Sequence, residues 1–167
     1  TYKILRTGAS TFTGGSFAFE EHTSGAPKYQ PYYKFVADTI TMNPAGTSGT
    51  VAIVFSADVL VSGHVGTIFR YKGKEMTIAS VVDAQNGTAA IRETLPASSA
   101  DVDWEEQTFS AVRGFPRAVT FHDQRLYFAG SIDRPDGLWG SKTSAFFNFD
   151  VGTALDDESI DVTVASD

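Results

Sequence analysis

The sequence predicts an all-β protein, a small β-barrel-like module followed by part of a β-propeller or antiparallel sheet. Three observations carry that class. Apolar residues alternate with polar ones in short runs, as in Val119-Thr120-Phe121-His122 and Ile160-Asp161-Val162-Thr163-Val164; a period of two marks strands with one buried face. Turn-forming pairs such as Lys72-Gly73, Asn86-Gly87 and Asp123-Gln124 separate these runs. No stretch keeps apolar residues at helical spacing.

Composition narrows the function classes. The chain has 167 residues and a formal net charge of -7, enough for one or two small domains, either of which would be marginal alone. There is no cysteine, hence no disulfide framework and no thiolate zinc site. No apolar run approaches the roughly 20 residues of a membrane helix, and no leader sequence is visible. The chain begins at Thr1 rather than Met, and is expected to be an excerpt of a longer protein. Residues 1–100 hold 8 Lys and Arg against 7 Asp and Glu, a net of +1; residues 101–167 hold 5 against 13, a net of -8. An acidic half argues against tight phosphate binding, which needs clustered cations.

Residues 1–49 read as lead-in strands and loops. Gly14-Gly15 is an expected turn, and Phe17 and Phe19 alternate with Ser16 and Ala18 as in a short strand. His22 stands alone in a loop, without the further ligands a metal site needs. Tyr29–Phe35 (YQPYYKF) gathers aromatics around Pro31, either as a stacking platform or as a linker whose rings anchor on a neighbouring domain; rings are large apolar surfaces first, which favours the anchor. Thr39–Met42 is a further short strand, and Asn43–Gly49 (NPAGTSG) a loop.

Residues 50–96 read as the barrel-like module. Val51–Phe55, Thr67–Tyr71, Glu75–Val82 and Thr88–Leu95 are its strands, turned at Lys72-Gly73 and at Asn86-Gly87, the latter a strong type I′ hairpin signal. Gly73-Lys74 is not a phosphate loop: the upstream glycine is misplaced, Glu75 stands where a hydroxyl is needed, and a strand follows. Arg70, Lys72 and Lys74 form a basic group of the kind that guards a strand edge, and His64 is expected to be solvated or to cap a turn.

Pro96–Asp103 is the expected linker, and residues 103–167 the partial propeller-like region. Trp104–Phe109 opens it. Val119–Phe121, Leu126–Phe128 and Leu138–Ser141 follow in quick succession, then Phe147–Asp150, a loop over Val151–Asp157 and a last strand Ser159–Val164. Asp133-Arg134-Pro135-Asp136-Gly137 has too few oxygens for calcium and reads as a turn. Asp156, Asp157, Glu158 and Asp161 form a denser acidic group, read as surface before metal. A glycosidase would need two carboxylates across a cleft, which sequence does not place. His122-Asp123 lacks a nucleophile elbow to serve. Trp104, Trp139, Phe147 and Phe149 are expected in the core or in contacts between subunits, with Trp139 and Phe149 largely buried.

Trp104–Asp167 resembles the start of the propeller-like region of bacteriophage tail nozzle (tail tubular B type) proteins. The phrases that carry the resemblance are Arg113-Gly114-Phe115-Pro116-Arg117-Ala118-Val119, Gln124-Arg125-Leu126 with Phe128-Ala129-Gly130, Trp139-Gly140-Ser141 and Phe147-Asn148-Phe149-Asp150. Pro31-Tyr32-Tyr33-Lys34-Phe35 and the His64-Val65-Gly66 module are similar to the segment that precedes that region. The small module also resembles the first catalytic cysteine half-domain of ubiquitin-activating enzymes; with no cysteine here, no ubiquitin chemistry carries over. The resemblance implies a non-catalytic virion subunit, made in the bacterial host cytoplasm and placed with other copies of itself and with neighbouring tail proteins in a ring around the DNA exit channel, with no cofactor and no membrane. In that setting Asp156, Asp157, Glu158 and Asp161 would face the channel, where an acidic wall lets DNA pass without binding it specifically. The alternative expectation is a carbohydrate- or receptor-binding module using Tyr29, Tyr32, Tyr33 and Trp139; an enzyme acting on cell-wall glycan ranks third.

Overall fold

A computed structural model describes residues 2–153 and 155–164. The protein is nearly all β, in three antiparallel sheets, none of them closed into a barrel. Its one helical turn among the described residues is a 3₁₀ turn at Ser62–His64.

The chain opens with a hairpin of β1 (Tyr2–Arg6) and β2 (Phe12–Ser16). Gly14 and Gly15 lie inside β2, so the expected turn there falls instead at residues 7–11, where Thr7 N donates to Thr11 O at 2.9 Å. Phe17 and Phe19 follow the strand and pack edge to face, their ring centres 5.1 Å apart.

Seven strands form the main sheet: β3 (Tyr32–Tyr33), β4 (Met42–Pro44), β5 (Thr50–Phe55), β6 (Ile68–Tyr71), β7 (Lys74–Val81), β8 (Asn86–Ile91) and β9 (Trp104–Gln107), in the order β3-β9-β6-β7-β8-β5-β4. The β6–β7 turn has the expected form, with Lys72 at φ 50° and Gly73 at φ 74°, as a two-residue type I′ loop requires. The next turn differs from expectation. Asn86-Gly87 already belongs to β8, and Asp83 shapes the loop by accepting from the backbone N–H groups of Gln85 and Asn86, both at 2.8 Å. Gly87 is used for close approach: a Cβ there would lie 2.6 Å from Ser80 O. The sheet curls until Met42 and Asp101 exchange two backbone hydrogen bonds of 2.9 and 3.0 Å, but that single bridge leaves it open rather than a barrel.

The expected bounds of 50–96 are too narrow for this sheet. It takes β3 and β4 from the lead-in and β9 from beyond Pro96–Asp103. The reason is Trp104, whose indole stacks on Phe69 at 5.9 Å, meets Phe55 at 4.9 Å and donates through Nε1 to Ile40 O at 2.8 Å. The supposed linker is held down as well, with Tyr71 Oη donating to Ser99 O at 2.7 Å and Lys72 Nζ 2.6 Å from Asp101.

The third sheet is a meander of β10 (Ala118–His122), β11 (Arg125–Ala129), β12 (Gly137–Gly140) and β13 (Ile160–Thr163) in sequence order. Its core is Phe109, Leu126, Phe128, Trp139 and Phe149, with Phe17 and Phe19 of the lead-in packed against it.

Candidate functional site

The segment Tyr29–Phe35 is the hub between the two larger sheets, as the anchoring reading of its rings predicted. Tyr32 is buried in the main sheet and donates to Glu75 Oε1 at 2.5 Å. Burial raises the Tyr32 pKa, and the neighbouring Glu75 charge adds to the rise. Glu75, itself fully buried, also accepts from Lys28 N at 2.7 Å and pairs with Arg92 Nε at 3.2 Å; Arg92 in turn reaches Glu21 and Gly25 O. These contacts fasten the lead-in across the main sheet.

Guanidinium groups lie on the faces of the rings. Arg70 covers Tyr32 at 3.9 Å, Arg113 covers Phe35 at 4.6 Å, and Arg134 covers Tyr33 at 4.2 Å. Arg113 and Arg134 come from the region of the meander, so each crosses the seam. Arg134 also pairs with Asp161 at 3.0 Å. Arg113 donates to Glu106 at 2.6 Å and to Asp133 at 3.3 Å; burial disfavours its charge, but Glu106 and Asp133 together outweigh that and the Arg113 pKa is raised. Glu106 is completed from the far side by His64. Val61 N donates to His64 Nδ1 at 2.9 Å, which leaves the proton on Nε2 to donate to Glu106 at 3.1 Å. His64 therefore caps its turn as expected, but it is buried rather than solvated.

Two clefts flank the seam. One of about 510 Å³ is lined by Tyr33, Arg70, Glu105, Arg134, Asp150 and Asp161. Its cations are already matched, Arg70 to Glu105 at 2.5 Å and Arg134 to Asp161. The other, about 440 Å³, is mainly aromatic, with Phe17, Phe19, Phe109 and Phe115 in its wall. Neither holds a nucleophile beside a base, and the His64–Glu106 pair opens into neither. No group of three or more His, Asp or Glu among the described residues could hold a metal ion.

The four acids proposed for a channel wall separate. Asp156 and Asp157 are exposed in the loop before β13. Glu158 folds back on its own loop and accepts from Leu155 N at 3.0 Å and from Thr153 N at 2.6 Å, which holds its pKa below the usual carboxylate range. Asp161 is committed to Arg134; burial raises its pKa, and Arg134 offsets part of the rise. Of the named aromatics, Trp104 lies in the main-sheet core, Trp139 and Phe149 in the meander core, and Phe147 is partly exposed, its ring 5.5 Å from Phe17. Of the rings proposed to stack on sugar, Tyr32 and Trp139 are buried, and Arg134 occupies a face of Tyr33. The basic group is matched as well: Lys72 meets Asp101, and Lys74 meets Glu93 at 3.0 Å.

Sequence reading missed Glu75, Glu106, Arg113 and Arg134. Glu75 carried a faint signal, since Glu75 and Thr77 alternate with the core residues Met76 and Ile78. That phase places Glu75 on the second face of the strand, but nothing local reveals that Tyr32 and Lys28 cover it.

No helix of the described residues is long and apolar enough to cross a membrane. No protein-family model matches the chain, and no curated protein matches it.

Proposed function

We propose that this chain is a non-catalytic structural subunit of a bacteriophage tail, part of a nozzle ring through which DNA leaves. The observation that carries the structural half of this reading is the seam. Interior charges are matched within the protein, and arginines rivet one sheet to the aromatic rings of the other, which makes a stiff body rather than a reactive site. The phrases that resemble the nozzle family support the other half, because their residues do structural work. Arg125 is buried and donates to Ser141 O at 2.6 Å and to Glu158 O and Asp156 O. A Cβ on Gly140 would lie 2.8 Å from the Tyr127 ring.

In a ring, Asp156 and Asp157 remain the exposed acids able to face passing DNA, and like charge lowers the local affinity for phosphate. Closed rings form through heterologous contacts between copies. Electron microscopy of the full-length gene product tests the proposal. The expected result is closed rings with a central channel, Asp156 and Asp157 on its wall, and no retention of duplex DNA at physiological salt. A full-length protein that stays monomeric, or rings with both acids on the outer rim, would overturn it.

A further inference from the structure

Strand β10 is an open edge whose residues are complementary to themselves. Val119 and Phe121 are 61% and 66% exposed, although they stand opposite the buried Phe128 and Leu126 and therefore share the core face of the meander. Among the described residues the one aromatic ring paired with Phe121 is Phe146, edge-on at 5.3 Å.

The backbone phase is fixed twice over. Asp123 and Gln124 form a two-residue loop with φ of 44° and 60°, which makes His122 and Arg125 a hydrogen-bonded pair. Independently, Leu126 O accepts from Ser141 N at 2.9 Å, so the backbone of Leu126 points toward β12. Its opposite residue Phe121 is thus in a non-hydrogen-bonded pair. The N–H and C=O groups of Val119 and Phe121 consequently point outward from the sheet.

Other edges of the two larger sheets are defended. β3 has two residues, β4 has three and includes Pro44, and β13 carries Asp161. β10 has neither a proline nor a lysine, the usual guards against strand addition.

From this we propose that β10 pairs with β10 of a second copy of this chain, antiparallel, about a two-fold axis at Thr120. In that register Val119 lies opposite the partner's Phe121 and exchanges both outward hydrogen bonds with it. A β-branched residue against an aromatic is a favourable cross-strand pair. Ala118 lies opposite the partner's His122, without a clash of charge. Arg117, exposed and in no ion pair among the described residues, comes beside the partner's Asp123, and the two-fold repeats that contact. The heptad Arg117-Ala118-Val119-Thr120-Phe121-His122-Asp123 is its own charge and hydrophobic complement. Pairing β10 with β13 of another copy would instead set Val119 and Phe121 against Asp161 and Thr163. This isologous contact closes on itself and is independent of the ring proposed above; either can fail without the other.

The test uses the absence of cysteine from the chain. In the proposed pair the two Thr120 residues are a non-hydrogen-bonded pair, with Cα atoms about 4.5 Å apart, inside the disulfide range of about 4.4–6.8 Å. Thr120→Cys should cross-link to itself under mild oxidation, while Ala118→Cys and His122→Cys cross-link only when mixed with each other. In sedimentation velocity the unmodified chain should show a monomer–dimer equilibrium. Val119→Pro removes only outward N–H groups and should weaken the dimer by on the order of tenfold or more. Arg117→Asp and Asp123→Lys should each weaken it, and the double variant should restore it; a lysine fits that turn position, as Lys72 does at φ 50°. A chain that is monomeric at every concentration, a dimer unaffected by Val119→Pro, or Thr120→Cys cross-linking no faster than Ala118→Cys would each overturn the proposal. The first result would mean that a different protein, or no partner, covers the edge; the other two would place the contact elsewhere.

Discussion

The two larger sheets solve the same problem differently. The main sheet buries twelve residues in one apolar cluster, from Met42 to Trp104, and shields its edges with short strands and Pro44. The meander buries five, borrows Phe17 and Phe19 from the lead-in, and leaves β10 uncovered. The main sheet can stand largely on its own core. The meander depends on what is packed against it, the lead-in rings on one side and the arginine seam on another, and at β10 it keeps an edge open to the proposed second copy.

The largest effect that breaks this contrast is expected at Trp104. Trp104→Ala removes a buried ring that touches Phe55 and Phe69 and takes one of two donors from Ile40 O, leaving Lys34 Nζ. Such truncations cost about 3–5 kcal/mol, so urea unfolding should show collapse of the main sheet. Trp139→Ala carries a cost of similar size but should act on the meander, dispersing it while the main sheet persists. Hydrogen exchange resolved by segment would separate the two; loss of both sheets in both variants would show that they unfold as one unit.

The seam comes next. Arg113→Met keeps an apolar stem but leaves Glu106 with His64 alone and removes the cation from Phe35. Hydrogen bonds to charged groups are worth about 1.5–3 kcal/mol each, and the urea midpoint should fall accordingly. If the seam rather than the cores couples the sheets, the single unfolding transition should also split in two.

Much smaller changes are expected at β10. Val119→Ser and Phe121→Ser alter side chains that are mostly exposed in the monomer, and monomer stability should stay within about 0.5 kcal/mol of the parent. Phe128→Ala, on the same face one strand inward, should cost about 3–5 kcal/mol. That gradient across two adjacent strands locates where the core ends.

The legibility of the sequence follows the same division. Local chemistry could be read: the Lys72-Gly73 turn, the Asp123-Gln124 break and the alternating runs of β10 to β13 appear where expected, whereas Phe147–Asp150 forms no strand. Pairings between distant segments could not. Trp104 looks like the first strand of a new domain because it follows a small-residue acidic loop, yet its ring completes a core whose other members lie up to 62 positions upstream, at Met42. Phe17 and Phe19 read as a strand, but they act as loose rings filling the meander's core. The acidic group misled for a related reason. Four neighbouring carboxylates look alike in sequence, while their roles depend on whether Thr153 N or Arg134 stands nearby. An Asn-Gly pair was also overruled, because Asp83 organised the turn three residues earlier and Gly87 was needed for close packing.

The smallest expected effect concerns Asp161, where burial and pairing oppose each other. Its native pKa is raised above the ordinary 3.8, burial outweighing the attraction of Arg134. A native state that holds a proton more tightly than the unfolded chain gains stability from it below the unfolded pKa and loses that gain as pH rises through the raised native value. Asp161→Asn imitates the protonated form, and Asn Oδ1 can still accept from Arg134. The variant should therefore match the parent in urea stability at acid pH and become modestly more stable than it toward neutrality. A variant that is less stable than the parent at neutral pH would mean that the Arg134 pair outweighs burial. The meander's outer edge would then be held by a true ion pair, which would make β10 still more distinct as its one undefended side.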